Sequence, residues 1–340
     1  AIKLLRFAMK PLPLDQRITM KRLIIAALLS CAFIFVIAPH IYANDKPLVF
    51  VSIVPQKYFV QQIGKDLVDI SVMVQPGADP HTYAPKPKQM IDLSKSKIYF
   101  AIGVSFENAW LDKIAAVNPD MRVVHTDHGI EKLAMAAHHH HDDADEHHEG
   151  KHHDKNSHDH KKGEHHGDAD HDEDHHEHAG LDPHIWLSPP LVKIQARSIL
   201  AALREVDPEH RNVYDANFKA FSAQIDQLDA DIKKIFAGKT GLQFMVFHPA
   251  WGYLAHAYGL KQVPVEIEGK NPKPAQLKEL IEHAKEREIR VVFVQPQFST
   301  KSAELVAREI GGQVAFADPL AEDWMANLRQ IADKFQAALK

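Results

Sequence analysis

Eight short apolar, β-branched runs separated by helical stretches constrain the fold of this chain more than any other feature. They lie near Leu48 to Val54, Asp69 to Val74, Lys97 to Ala101 and Met121 to His125 in the first half, and near Leu242 to Phe247, Lys261 to Ile267, Ile289 to Val294 and Gln313 to Phe316 in the second. Strands that alternate with helices pair in parallel, because each crossover helix returns the chain to the same end of the sheet and covers one of its faces. Two sets of four predict an α/β protein of two lobes, each with a mostly parallel four-stranded sheet flanked by helices. Between the sets, the stretch from Pro208 to Ala237 has almost no breakers, and Phe218, Phe221, Ile225, Leu228, Ile232 and Ile235 recur at spacings of three and four along one face. A helix there would be about 40 Å long at 1.5 Å per residue, enough to join both lobes as a rigid strut. The expected organisation is therefore an N-terminal lobe over 44–207, a linking helix over 208–237 and a C-terminal lobe over 238–340.

Residues 1–43 stand apart. Met20-Lys21-Arg22 opens a basic segment, an apolar run follows from Leu23 to Ala38, and Ile41-Tyr42-Ala43 supplies a small residue for cleavage. That order describes a secretory signal peptide with its start near Met20 and upstream residues before it, and the 16-residue apolar run is short for a membrane span. The one cysteine, Cys31, lies inside this run, where it loosely resembles a lipoprotein acceptor. Cleavage after Ala43 is the preferred reading, and it leaves a periplasmic chain with no thiol, so any metal site in it must use nitrogen and oxygen ligands.

Between His138 and His178 the chain concentrates 16 of its 25 histidines beside 14 Asp or Glu and only 4 Lys. This tract has no apolar period and cannot form a core, so it reads as a solvated loop inserted in the first lobe, with many exchangeable metal sites. The tract carries a formal charge of 4 − 14 = −10, residues 1–43 carry +5 and the whole chain −5, which leaves the remaining body near neutral. No basic surface suggests nucleic acid.

Four segments place a candidate ligand just beyond a strand or at a turn: Asp79-Pro80-His81, Asp182-Pro183-His184, His248-Pro249 and Asp318-Pro319. In parallel α/β sheets, ligands bind at the C-terminal ends of the strands. The neighbouring prolines restrict these turns and present each imidazole with little freedom to lose on binding. Asp79 and Asp182 are placed to bond their own loops or to orient a histidine. Asp318 has a second reading, as the cap of a C-terminal helix. His125 and His128 flank a strand end and remain candidates, whereas His256 and His283 fall in helices and read as structural or surface residues. Three imidazoles, His81, His184 and His248, with the Asp318 carboxylate give an N3O set that suits tetrahedral Zn2+; Mn2+ favours more oxygen.

These motifs resemble the solute-binding proteins of zinc, manganese and iron ABC importers, and within them the periplasmic zinc-binding group. The resemblance runs from about Leu48 to the C-terminus and rests on Gly77-Ala78-Asp79-Pro80-His81 with Tyr83-Ala84-Pro85-Lys86-Pro87, on Asp182-Pro183-His184-Ile185-Trp186-Leu187-Ser188-Pro189, on His248 with Gly252-Tyr253, and on Asp318-Pro319-Leu320. It implies a monomeric receptor that holds one Zn2+ in the cleft with His81, His184, His248 and either Asp318 or water, and delivers it to an inner-membrane ABC permease without chemistry. His248, where manganese and iron members usually have a carboxylate, and the acidic histidine-rich insertion both match the zinc group. Competing readings are a manganese or iron importer component, a periplasmic metal buffer, a zinc hydrolase and a surface adhesin.

Overall fold

The computed structural model describes residues 46–135, 180–267 and 270–339; the expected signal peptide and the histidine-rich tract lie outside the described residues. All eight strands form where apolar runs were read. The first sheet contains β1 (Leu48–Val51), β2 (Asp69–Val72), β3 (Ile98–Ala101) and β4 (Arg122–His125), in the order β2-β1-β3-β4. The second contains β5 (Gln243–Val246), β6 (Lys261–Pro264), β7 (Val291–Val294) and β8 (Gln313–Phe316), in the order β6-β5-β7-β8. Every pairing is parallel, with Val49 opposite both Ile70 and Ile98 in the first sheet and Val246 opposite both Pro264 and Phe293 in the second. The central strands are covered on both faces and so read as continuous apolar runs; Ile98–Ala101 is buried at every position, whereas the edge strands β4 and β8 are exposed at both ends.

Four strands stop earlier than the apolar pattern suggests, β1 and β6 by three residues, β2 by two and β5 by one. Pro55 lies in the first turn of α1 (Val54–Gly64), and the Gln56 side-chain oxygen accepts the N–H groups of Ser52 at 3.0 Å and Ile53 at 3.3 Å, so the chain turns into the helix directly after β1. At the end of β6, Val265 N–H donates to the Val246 carbonyl and Glu266 N–H to the Phe247 carbonyl, at 2.7 and 3.1 Å. The segment thus follows β5 beyond the regular ladder, and it carries Glu266 to the same edge as His248.

The crossovers are α1, α2 (Pro87–Leu93) and α3 (Ser105–Val117) in the first half, and α6 (Gly252–Ala257), α7 (Pro274–Glu286) and α8 (Lys301–Glu309) in the second. Between the halves, α4 (Pro189–Val206) and α5 (Arg211–Ile235) form a hairpin, and α9 (Trp324–Ala338) ends the chain. The linking helix α5 has 25 residues, about 37 Å at the standard rise. Its predicted stripe faces inward: Phe221, Ile225, Leu228 and Ile232 are buried, with Tyr214 continuing the row and Phe218 and Ile235 partly covered.

One hydrophobic cluster draws on both sheets and on α1, α4, α5 and α9. Its aromatic centre joins Phe59 of α1, Phe221 of α5 and Trp324 of α9, with the Phe59 and Trp324 rings 5.1 Å apart and edge to face. A second cluster, including Met245, Val292 and Val306, fills the other face of the second sheet. This shared core opposes separation of the halves, because separating them would expose these aromatic rings. The Trp186 indole donates to the Pro319 carbonyl and the Trp324 indole to the Trp186 carbonyl, both at 2.7 Å, which crosses between the halves twice at one point.

A buried carboxylate organises the edge from which α3 starts. Glu107 accepts N–H groups from Ile102 at 3.0 Å and Gly103 at 2.7 Å as well as the Ser52 hydroxyl. Burial pushes its carboxyl up to about 7 despite these donors. The effect is to fix the turn that presents Val104 and Ser105 to the cleft.

Candidate metal centre

His81, His184 and His248 converge at the C-terminal edges of the two sheets, with ligand nitrogens all within 4.8 Å of one another. His81 lies in the loop between β2 and α2, where the Asp79 carboxylate accepts its backbone N–H at 2.8 Å and closes the turn. His184 precedes a short 3-10 turn, Ile185–Leu187, that leads into α4 at Pro189. His248 lies two residues beyond β5; Gln295 holds its backbone on both sides, accepting its N–H at 3.3 Å and donating to its carbonyl at 2.6 Å. The Phe298 ring stacks on the His248 imidazole, 4.9 Å between centroids and 24° between planes.

The outer ring nitrogens determine what the inner ones can do. His184 Nδ1 lies 2.7 Å from the Asp182 carboxylate and His248 Nδ1 lies 2.5 Å from Glu266. Both carboxylates accept only, so both Nδ1 atoms carry the proton and both Nε2 atoms present a lone pair. His81 Nδ1 has the Ser105 hydroxyl at 3.0 Å. The Nε2 atoms face one another at 3.1 Å between His81 and His248 and at 3.3 Å between His248 and His184. The lone pairs of His184 and His248, aimed together at such a distance, repel unless a cation lies between them. Two Zn–N bonds of about 2.05 Å at a tetrahedral angle span about 3.3 Å, so the spacing fits that ion. Burial, and next the neighbouring His248, lower the pKa of His81, which keeps its ring neutral and ready to ligate. The three rings border a cavity of about 20 Å3 walled by Pro80, Val104, Trp186, Phe298 and Leu320. Apolar walls strengthen charge–ligand attraction by excluding water.

Asp318 stands outside this group. Its Oδ1 accepts from Gln297 Nε2 at 3.0 Å and from Leu320 N–H at 2.9 Å, and it borders the adjoining cavity, of about 130 Å3, rather than the one between the imidazoles. It also does not cap the C-terminal helix. Asp323 does, accepting Ala326 N–H at 3.1 Å, because the chain after Asp318 first makes a turn and passes under Trp186 before α9 begins at Trp324. His125 and His128 are exposed at the end of β4, and His256 is exposed on α6. His283 is half-buried rather than on the surface, with its Nε2 2.7 Å from Gln243 Oε1. Two contributors escaped the sequence reading, Glu266 and Ser105. Removing the charge from Glu266 should weaken the centre without removing a ligand: Glu266→Gln is expected to lower Zn2+ affinity about tenfold, within the range typical of partners that orient a ligand. Competition against a chelator of known affinity measures this, and unchanged affinity would mean that the Glu266 charge does not support His248.

The sequence profile of the family described as "Zinc-uptake complex component A periplasmic" matches residues 49–338. The high-affinity zinc uptake system protein ZnuA of Bacillus subtilis is 28% identical over 279 residues, covering 82% of this chain and 79% of its own. A crystal structure of ZnuA superposes with a TM-score of 0.72 at 40% identity, over 86% of this chain and 99% of that one. A deletion mutant of ZnuA lacking 138–173 in its own numbering, with zinc bound, has the same TM-score and identity, over 86% of this chain and 98% of its own. The chain belongs to the family of periplasmic A components of zinc-uptake complexes.

Proposed function

We propose that this protein captures Zn2+ in the periplasm at the three-imidazole centre and hands it to a membrane ABC permease, while residues 138–178 collect metal for the cleft. The observation that carries the reading is the pairing of Nδ1 with Asp182 and Glu266 in two of the imidazoles, which turns their Nε2 lone pairs toward one point. Three nitrogen ligands with no thiolate favour Zn2+ over Mn2+. The fourth position falls to water or to Asp318, which would first have to leave Gln297 and the Leu320 N–H. A deletion mutant of a relative lacking 138–173 in its own numbering still has zinc bound.

A hydrolytic role needs a base beside a metal-bound water. Asp182 and Glu266, the carboxylates bonded to the imidazoles, already accept hydrogen bonds from Nδ1–H, which favours holding metal over activating water. Export through a signal ending near Ala43 and action as a monomer complete the proposal.

Growth under zinc limitation tests it. Cells carrying the protein without 138–178 should grow more slowly than wild type at limiting zinc, and equally well when zinc is supplied. Growth at limiting zinc indistinguishable from wild type would remove the collecting role from the tract. Growth no better than that of cells lacking the whole protein would contradict a cleft that works alone.

A further inference from the structure

The segment that supplies His248 also reaches across to hold the neighbouring ligand His184. Tyr253 lies five residues after His248, on α6, and its hydroxyl donates to the Asp182 carbonyl at 2.8 Å and accepts Leu133 N–H at 3.0 Å. Those two partners belong to paired segments: Asp182 N–H donates to the Leu133 carbonyl at 2.8 Å, Met135 N–H donates to the Gly180 carbonyl at 2.9 Å, and Ala134 and Leu181 form an antiparallel bridge. Tyr253 therefore fastens both strands of this pair to the second half of the molecule.

Gly252 completes the contact from the next position. A Cβ atom built on it would come 2.6 Å from Asp182 Oδ2, so the carboxylate packs directly against the glycine. The other oxygen, Oδ1, accepts both the backbone N–H of His184 at 2.9 Å and its Nδ1–H at 2.7 Å. Asp182 is 1% exposed and His184 3%, so neither group has water as an alternative partner.

We infer that Gly252 and Tyr253 are positioning residues for the metal centre: by seating Asp182 they hold the His184 ring in register with His248. The arrangement follows one chain of contacts, from the Tyr253 hydroxyl to the Asp182 backbone, from the Asp182 carboxylate to the His184 ring, and from there to the Nε2 atom that faces His248 at 3.3 Å. Burial pushes the Tyr253 phenol up to about 12, so it keeps its proton and remains a donor at neutral pH. The same contacts tie the paired segments 133–135 and 180–182, which flank residues 136–179 in the sequence, to a ligand in the cleft.

This inference rests on the three-imidazole centre proposed above, and the test separates the two. Zn2+ affinity and the visible absorption of the Co2+-substituted protein are to be measured for wild type, Tyr253→Phe, Gly252→Ala and, as a control, Tyr258→Phe, which removes a hydroxyl bonded to Asp229 of the linking helix. Loss of an orienting contact predicts that Tyr253→Phe binds Zn2+ about tenfold more weakly. The Co2+ bands should change in shape or intensity, Gly252→Ala should behave in the same way, and Tyr258→Phe should keep the wild-type affinity and spectrum. Folded Tyr253→Phe protein with unchanged affinity and spectrum overturns the inference. So does an equal loss in Tyr253→Phe and Tyr258→Phe with an unaltered Co2+ spectrum, which would report general destabilisation. A wild-type protein without a tight site overturns the centre itself and this inference with it.

Discussion

His248→Ala is expected to weaken Zn2+ binding by more than about 100-fold, beyond the upper end of what loss of an orienting partner produces. The substitution removes one of the three imidazoles proposed to hold Zn2+ and unseats what surrounds it. Phe298 loses the ring on which it stacks, and Glu266, 5% exposed, loses the Nδ1–H at 2.5 Å that it accepts. A buried carboxylate stripped of its hydrogen-bond donor destabilises the fold by about 1–3 kcal/mol or somewhat more. The variant should therefore lose stability even without metal. Titration with Zn2+ and denaturant unfolding of the metal-free protein check the two parts separately.

Trp324→Ala is expected to lower the unfolding free energy by about 3–5 kcal/mol, the usual cost of truncating a buried tryptophan. Trp324 is 1% exposed and packs edge to face on Phe59, and its indole N–H donates to the Trp186 carbonyl at 2.7 Å. The truncation opens a hole where the first helix, the linking helix and the last helix meet, and it leaves the Trp186 carbonyl buried without that donor. The Trp186 ring lies 5.1 Å from His184, so some of the disturbance should reach the metal centre. The loss of Zn2+ affinity should nonetheless be smaller than in His248→Ala, because all three ligands remain. Urea unfolding of the metal-free protein measures the first effect. A change below about 1 kcal/mol would mean that the site collapses around the missing ring.

The parts legible in the sequence are those that depend on local pattern. Central strands such as Ile98–Ala101 are buried on both faces and announce themselves as apolar runs. The linking helix shows its buried stripe at helical spacing because one face meets the core along its length. His81, His184 and His248 stood out because each sits beside proline at a strand edge or turn. Glu266 did not, because it lies within the run Lys261 to Ile267 that reads as strand, and its partner His248 is 18 residues away. Ser105 looks like an ordinary helix start, and only the fold brings it to His81, 24 residues distant. Asp318 shows the reverse failure: Asp followed by Pro has the chemistry of a helix cap, but five residues later Asp323 takes that place, as the contact of Trp186 with Pro319 delays the helix.

The central claim is a single cleft site for Zn2+ that owes its affinity to three imidazoles and not to the histidine-rich tract. Calorimetric titration with Zn2+ of the protein lacking 138–178, with and without His248→Ala, tests it most directly. One tight equivalent should remain in the tract-deleted protein and be lost when His248 is also replaced. Weak, multiple binding in the full chain that disappears with the tract, leaving no tight equivalent in the cleft, would contradict it.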